Sequence, residues 1–317
     1  MSRHDVPPVF QEAHVENYFR PLHQPWSFYI RSLFRLHNEF MNVWTHIIAF
    51  LLTAVQLWHF SCDMDFVNDS HTWPMLAGFV CGLLLYICSS FAHWAQSKSE
   101  YIHYVAFMVD YAGIGLYSLG SVIVHLMYCA EEDFLEATQA WFIPLGCMFA
   151  IAISFCHNTA KVKYTRPYPF ARKLWQMIPI ACVYVLLISP VAHRLFTCFW
   201  RGADCTASIP FHCQEVMWFL ISGFFFASDI PQRFGHGKFD IFLHSHQLFH
   251  TSIAICTLFQ MQGVYIDFLT RSSVIHERPN PTFISAFGPV LFTILSEICC
   301  IVYFSGKVAR KLKMKES

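Results

Sequence analysis

Charge is what this 317-residue sequence has least of: 13% of its residues are Asp, Glu, Lys or Arg, against about a quarter in a soluble domain. Apolar residues make up 55%, and the mean hydropathy is +0.40. That balance excludes an ordinary soluble globular domain. The formal net charge is zero, so no basic surplus points to nucleic acid. The thirteen cysteines lack CxxC and zinc-ribbon spacing, and most of them lie in apolar runs as small hydrophobes. Cys198 and Cys205 share one polar stretch and are expected to pair as a disulfide; Cys299-Cys300 is a candidate for palmitoylation. There is no internal repeat and no low-complexity tract. Residues 1–42 contain no signal-type apolar region, so the first apolar run is expected to be an uncleaved anchor.

What is present is apolar length. A spanning helix needs about 20 mostly apolar residues, and eight such runs can be drawn, over 43–60, 74–96, 104–127, 139–157, 176–193, 213–230, 243–266 and 284–304. Thirty-three Phe and nine Trp suit a surface that meets lipid. With the N-terminus placed in the cytoplasm, 17 of the 21 Lys and Arg fall on the inner side, and only Arg194, Arg201, Arg271 and Arg278 lie outside. That asymmetry predicts that both termini are cytoplasmic. The stretches CDMDFVNDSH (62–71) and CAEEDFLE (129–136) carry no Lys or Arg and are expected outside, together with the glycosylation acceptor Asn68-Asp69-Ser70. The chain thus divides into a cytoplasmic segment (1–42), an all-α eight-span domain (43–304) and a basic cytoplasmic tail (305–317). Within the first segment, Trp26 to Phe34 reads as a helix lying in the inner headgroup layer, and the tail is a candidate for contact with anionic lipid.

Ionisable residues inside spans are costly and tend to mark function. In this orientation His93 lies near the inner end of the second span. Asp110 lies a few turns up the third, and His246 and His250 open the seventh. The stretch FLHSHQLFH (242–250) places His246 and His250 four residues apart, on one helical face. With His93 they make a three-histidine set with one position left open to water, the arrangement of catalytic zinc. Asp110 is placed to orient a ligand or hold that water, and Ser89, one turn before His93, lines the same pocket. His244 falls on another face and reads as interfacial. Singly, each of these residues also fits a helix–helix hydrogen bond or a buried neutral carboxyl; their shared depth favours a metal.

Four blocks carry a resemblance to a known family: HNEFMNVWTH (37–46), Ser89-x-x-x-His93, Asp110, and HQLFH (246–250). Together they resemble the progestin and adipoQ receptor family. YFRPLHQPWSFYIRSLF (18–34), QSKSEYIHY (96–104), RPYPFARKLWQ (166–176) and ISPVAHR (188–194) are similar to its membrane progestin receptor branch, nearest the alpha and beta types. The branch's eighth span agrees with the run count. The resemblance implies zinc (Zn2+) held by His93, His246 and His250, with Ser89 and Asp110 beside it. It also implies a plasma-membrane receptor for a progesterone-like steroid, acting rapidly through a heterotrimeric G protein, with a role in oogenesis. IPQRFGHGKFD (230–240) departs from the family's Pro-Glu and Pro-Gly pattern, so no role is carried over to an acidic residue of that loop. Glu39, Asn42, Trp44, Thr45 and His46 form an inner-interface block that reads as a helix start with an aromatic anchor, or as support for the centre.

Two functions follow. A rigid steroid with a keto oxygen needs aromatic walls and one or two donors; Gln176 is the candidate donor, and Phe224-Phe225-Phe226 could supply walls. Relatives in the resembling family include ceramide-cleaving hydrolases, so an intramembrane amide hydrolase acting on ceramide-like lipid is the alternative, with catalytic roles for Asp110 and Ser89. A proton-coupled transporter relaying through Asp110 and Asp229 lacks the expected repeats. A rhodopsin-like receptor lacks Asp-Arg-Tyr after the third run and Asn-Pro-x-x-Tyr in the seventh.

Overall fold

A computed structural model describes residues 1–166, 168–201 and 207–316. Among these residues there is no strand. The α-helices in chain order are α1 (Trp26–Ser32), α2 (Phe40–Phe60), α3 (Trp73–Ala95), α4 (Glu100–Val124), α5 (Glu132–Thr138), α6 (Phe142–Lys163), α7 (Phe170–Arg201), α8 (Ile209–Ser228), α9 (Ser245–Thr270), α10 (Ser272–Glu277) and α11 (Phe283–Glu316).

Seven helical stretches among the described residues are long and apolar enough to cross a membrane; they contain α2, α3, α4, α6, α7, α9 and α11. The run expected at 213–230 is helix α8, 20 residues long. Its first turns carry His212, Gln214 and Glu215, which dilute its hydropathy, so it is not one of the seven. Three further differences from the sequence reading have local causes. The expected 176–193 run begins earlier and ends later, as α7, and runs through Pro179 and Pro190; neighbouring helices tolerate such prolines inside a bundle. The stretch expected as a loop at 129–136 contains α5, with Glu132 and Asp133 in its first turn, where acidic groups complement the helix dipole. The basic tail is no separate segment but the last turns of α11. Cys205, and with it the expected Cys198–Cys205 pairing, lies outside the described residues.

Helix α4 is the hub. Its span is 78% buried inside the bundle at its most apolar stretch, against 28% for α2 and for α11. Exposed Leu51, Leu52, Val55 and Trp58 on α2, and Leu291, Phe292, Leu295 and Val302 on α11, make an apolar outer surface suited to lipid. Small residues let α3 and α4 approach closely, as glycines do between membrane helices. A Cβ added to Gly120 would stand 2.6 Å from Cys81 Cβ, and one on Gly78 would stand 2.5 Å from Val124 Cγ1.

The segment before α2 folds back on one end of the bundle. Val6, Phe10, Val15 and Phe19 bury one another, and the Met1 ammonium donates to the Phe19 carbonyl. Asp240, in the loop before α9, accepts from the backbone N–H of Glu16 at 3.0 Å and of Asn17 at 2.9 Å. The Tyr29 hydroxyl, on α1, lies 2.9 Å from the carbonyl oxygens of Pro21 and Ser97. The starts of α2 and α9 and the end of α3 therefore meet under one cover.

Overpacking a tight contact costs about 1–3 kcal/mol. Gly120→Ala is expected to lower the thermal midpoint of the detergent-purified protein by several degrees. Gly223→Ala, where a Cβ would meet nothing within 4 Å, should leave it unchanged or raise it. Equal effects at the two sites would contradict the α3–α4 packing.

Candidate metal centre

The three histidines chosen from sequence converge. His93 comes from the last turn of α3, and His246 and His250 from the first turns of α9. Each offers a ring nitrogen, and the three nitrogens lie within 4.8 Å of one another. The ring centroids stand 5.0 Å apart for His93–His246, 5.1 Å for His93–His250 and 4.4 Å for His246–His250. His93 Nε2 and His246 Nε2 are 3.1 Å apart. Two nitrogens on one tetrahedral zinc, each bonded at about 2.0–2.1 Å, stand about 3.3 Å apart. The spacing fits a shared ion.

The remaining nitrogens show how the set is aimed. Glu39, at the N-cap of α2, is 5% exposed, and its Oε2 lies 2.7 Å from His93 Nδ1. Burial alone would raise this carboxyl, but the bonds from His93 and Asn42 and the charge of Arg20 outweigh it and hold Glu39 well below the usual carboxylate range. An ionised carboxylate can only accept, so His93 Nδ1 carries the proton and Nε2 presents its lone pair. Asn42 Nδ2 donates to the same oxygen at 2.7 Å, and Asn38 Nδ2 donates to Oε1 at 3.2 Å. On the other side, Thr45 Oγ1 donates to the Met41 carbonyl at 2.7 Å and so is left to accept from His250 Nδ1 at 3.2 Å. That frees His250 Nε2. Metal-bound imidazoles are oriented in this way by acceptors on their far nitrogen.

Two other contacts fix the helix ends. The Arg20 guanidinium, 4% exposed, donates to the carbonyls of His93 at 2.7 Å and Trp94 at 2.8 Å, satisfying the C-terminus of α3 and its dipole. Gln232 holds the start of α9: its Oε1 accepts from Ser245 N–H and its Nε2 donates to Ser245 Oγ, both at 2.7 Å. The loop at 230–240 thus supplies a capping amide to α9.

His46, 2% exposed, stacks on His250 with centroids 3.7 Å apart and an interplanar angle of 25°. Neither of its ring nitrogens has a hydrogen-bond partner. Trp44 Nε1 donates to the Leu33 carbonyl at 2.7 Å. Asp110 is 7% and Ser89 1% exposed; Ser89 is within hydrogen-bonding reach of the Asp110 carboxyl. The carboxylate hydrogen-bonded to a ring of the three-histidine set is Glu39. Gln176 is buried on α7 at 3% exposure. His244 is also buried, at 1%, rather than lying at an interface. It sits at the N-cap of α9, with Nε2 3.4 Å from the Asn38 carbonyl.

Sequence reading left the role of Glu39 open and did not single out Arg20 or Gln232. The signal available for Glu39 was an acidic residue just ahead of the apolar run at 43–60, close to Asn42, Thr45 and His46.

Residues 34–261 match the family model described as Haemolysin-III related. Three of the similar relatives are membrane progestin receptor beta of Sus scrofa, 33% identical over 99% of this chain and 89% of the relative, the same receptor of Homo sapiens, 35% identical over 99% and 89%, and membrane progestin receptor alpha of Homo sapiens, 35% identical over 99% and 90%.

Loss of an outer partner of a metal-bound histidine typically costs 10–100-fold in affinity. Glu39→Gln keeps the shape and removes the charge, so zinc affinity, read by competition with a chromophoric chelator, is expected to fall by roughly that factor. An unchanged affinity would mean that Glu39 does not aim His93.

Proposed function

The chain belongs to the haemolysin-III-related family, that of the progestin and adipoQ receptors, and on that premise we propose that it is a plasma-membrane receptor for a progestin-like steroid, built round a three-histidine zinc centre. The observation that carries the receptor reading is the similarity at 33–35% identity, over almost the whole chain, to proteins named membrane progestin receptors. The convergence of His93, His246 and His250 supports the zinc centre, because neutral imidazoles suit zinc. The basic residues gathered on one side of the bundle support cytoplasmic termini, with α8 as the eighth crossing. At about 1.5 Å per residue, its 20 residues reach about 30 Å, one bilayer core.

In this reading Gln176 offers its amide to a steroid keto group, the apolar bundle encloses the rings, and a G protein receives the signal on the cytoplasmic side. Tritiated progesterone should bind saturably to membranes carrying the full chain. Gln176→Ala should weaken binding by about 3–10-fold, the worth of one hydrogen bond. Absence of saturable binding to the wild type would overturn the receptor reading.

A second reading rests on one observation, the buried Ser89–Asp110 pair next to the histidines. Zinc with an open position polarises a carbonyl and acidifies bound water. Asp110 would hold the proton taken from that water, and Ser89 would fix the carboxylate. Asp110→Asn is then expected to abolish turnover of a fluorescent ceramide while leaving the zinc content unchanged. No turnover by the zinc-loaded wild type would remove this reading and leave the receptor.

A further inference from the structure

The end of the bundle away from the three histidines holds a second buried polar centre. Its residues come from α7 (Arg194), α8 (His212, Glu215), α9 (Asp267) and the π-helical turn His125–Cys129 that follows α4. None is more than 4% exposed. Along α9, Asp267 is 17 residues from His250, or about 26 Å, so the two centres are separate. Arg194 donates to both oxygens of Asp267 at 2.8 Å. His212 lies between two carboxylates, with Nδ1 3.1 Å from Glu215 Oε2 and Nε2 3.0 Å from Asp267 Oδ2.

Three donors here also lie within 4.8 Å of one another: a ring nitrogen of His125, one of His212, and Cys129 Sγ. We propose that His125, Cys129 and His212 form a second zinc site, with Asp267 and Glu215 beside it.

The first support is spacing. Cys129 Sγ is 3.7 Å from His212 Nε2. Zinc at about 2.3 Å from sulfur and about 2.0 Å from nitrogen places a tetrahedral S···N pair about 3.5 Å apart, close to the 3.7 Å found here.

The second support is the aim of both rings. His125 Nδ1 lies 2.7 Å from the Leu187 carbonyl, which can only accept, so Nε2 of the neutral ring is a lone pair. That nitrogen lies 3.3 Å from Glu215 Oε1 and 3.5 Å from Gln260 Nε2, which donates to the same carboxylate oxygen at 2.8 Å. His212 Nδ1 is held by Glu215. Each imidazole thus has its far nitrogen engaged by an oxygen, as metal-bound histidines do. The π turn is the third support: such widened turns concentrate at functional sites, and this one contains both His125 and Cys129.

Soft thiolate with imidazole selects zinc over magnesium or calcium. The ion would tie α8 to the end of α4.

The centre with His93 has no sulfur ligand, which makes the two distinguishable. The full-length protein, purified and loaded with Co2+, should show a thiolate-to-cobalt charge-transfer band in the near ultraviolet. Cys129→Ser should remove the band and one bound ion per chain, while Cys147→Ser should keep both. If Cys129→Ser fails to fold, zinc-edge X-ray absorption of the wild type decides, since a sulfur at about 2.3 Å is required. No charge-transfer band with cobalt bound, a band that survives Cys129→Ser, or an all-nitrogen-and-oxygen shell would overturn the site and leave a metal-free hydrogen-bond network.

Discussion

A carboxylate at the start of α2 grips an imidazole at the end of α3, and much of the architecture serves that contact. Glu39 and His93 meet at 2.7 Å, with neither side chain more than 7% exposed. Breaking one partner of such a buried pair would strand the other charge in a low-dielectric site. The bond is held from three sides: Asn38 and Asn42 direct the carboxylate, and Arg20 fastens the last carbonyls of α3. The N-terminal segment brings Arg20 into place, and Asp240 ties that segment to the loop before α9. The chain therefore uses residues remote in sequence to fix one ring nitrogen.

The two ends of the bundle solve the same electrostatic problem differently. An isolated charge in hydrocarbon is costly, so membrane proteins pair or coordinate it. At the three-histidine end, neutral rings gather around a few charged supports. At the other end Arg194, Asp267, His212 and Glu215 form a nearly closed circuit. The hub helix α4 and helix α9 run between them, so packing that shifts α9 would be felt at both. The close α3–α4 contact at Gly78 and Gly120 fixes the far end of α3, the helix that carries His93.

Much of this was legible in the sequence because bilayers impose long apolar helices, and because an i, i+4 histidine pair on a helix has only one geometry. His93, His246 and His250 could be brought together from depth alone. Glu39 could not be assigned, because its role depends on how the segment from Tyr18 to Glu39, with only the short α1 inside it, turns beneath the bundle, and no periodicity encodes that path. Helix α8 was found as an apolar run, but His212, Gln214 and Glu215 in its first turns make it marginal as a span, and the same residues build the second polar centre. The sequence did offer a clue to that centre, since Glu215 and Asp267 are ionisable groups set in or beside apolar runs. Their partners Arg194 and His125 lie on other helices, and pairing across helices is invisible without the fold.

The claim on which the account stands is that three imidazoles from α3 and α9 hold one zinc ion. Anomalous diffraction from crystals of the full-length protein, recorded on both sides of the zinc absorption edge, tests it most directly. The account predicts a peak about 2.0–2.1 Å from a ring nitrogen of each of His93, His246 and His250. Absence of density among those rings in crystals grown with zinc, or rings turned away from one another toward lipid, would contradict it.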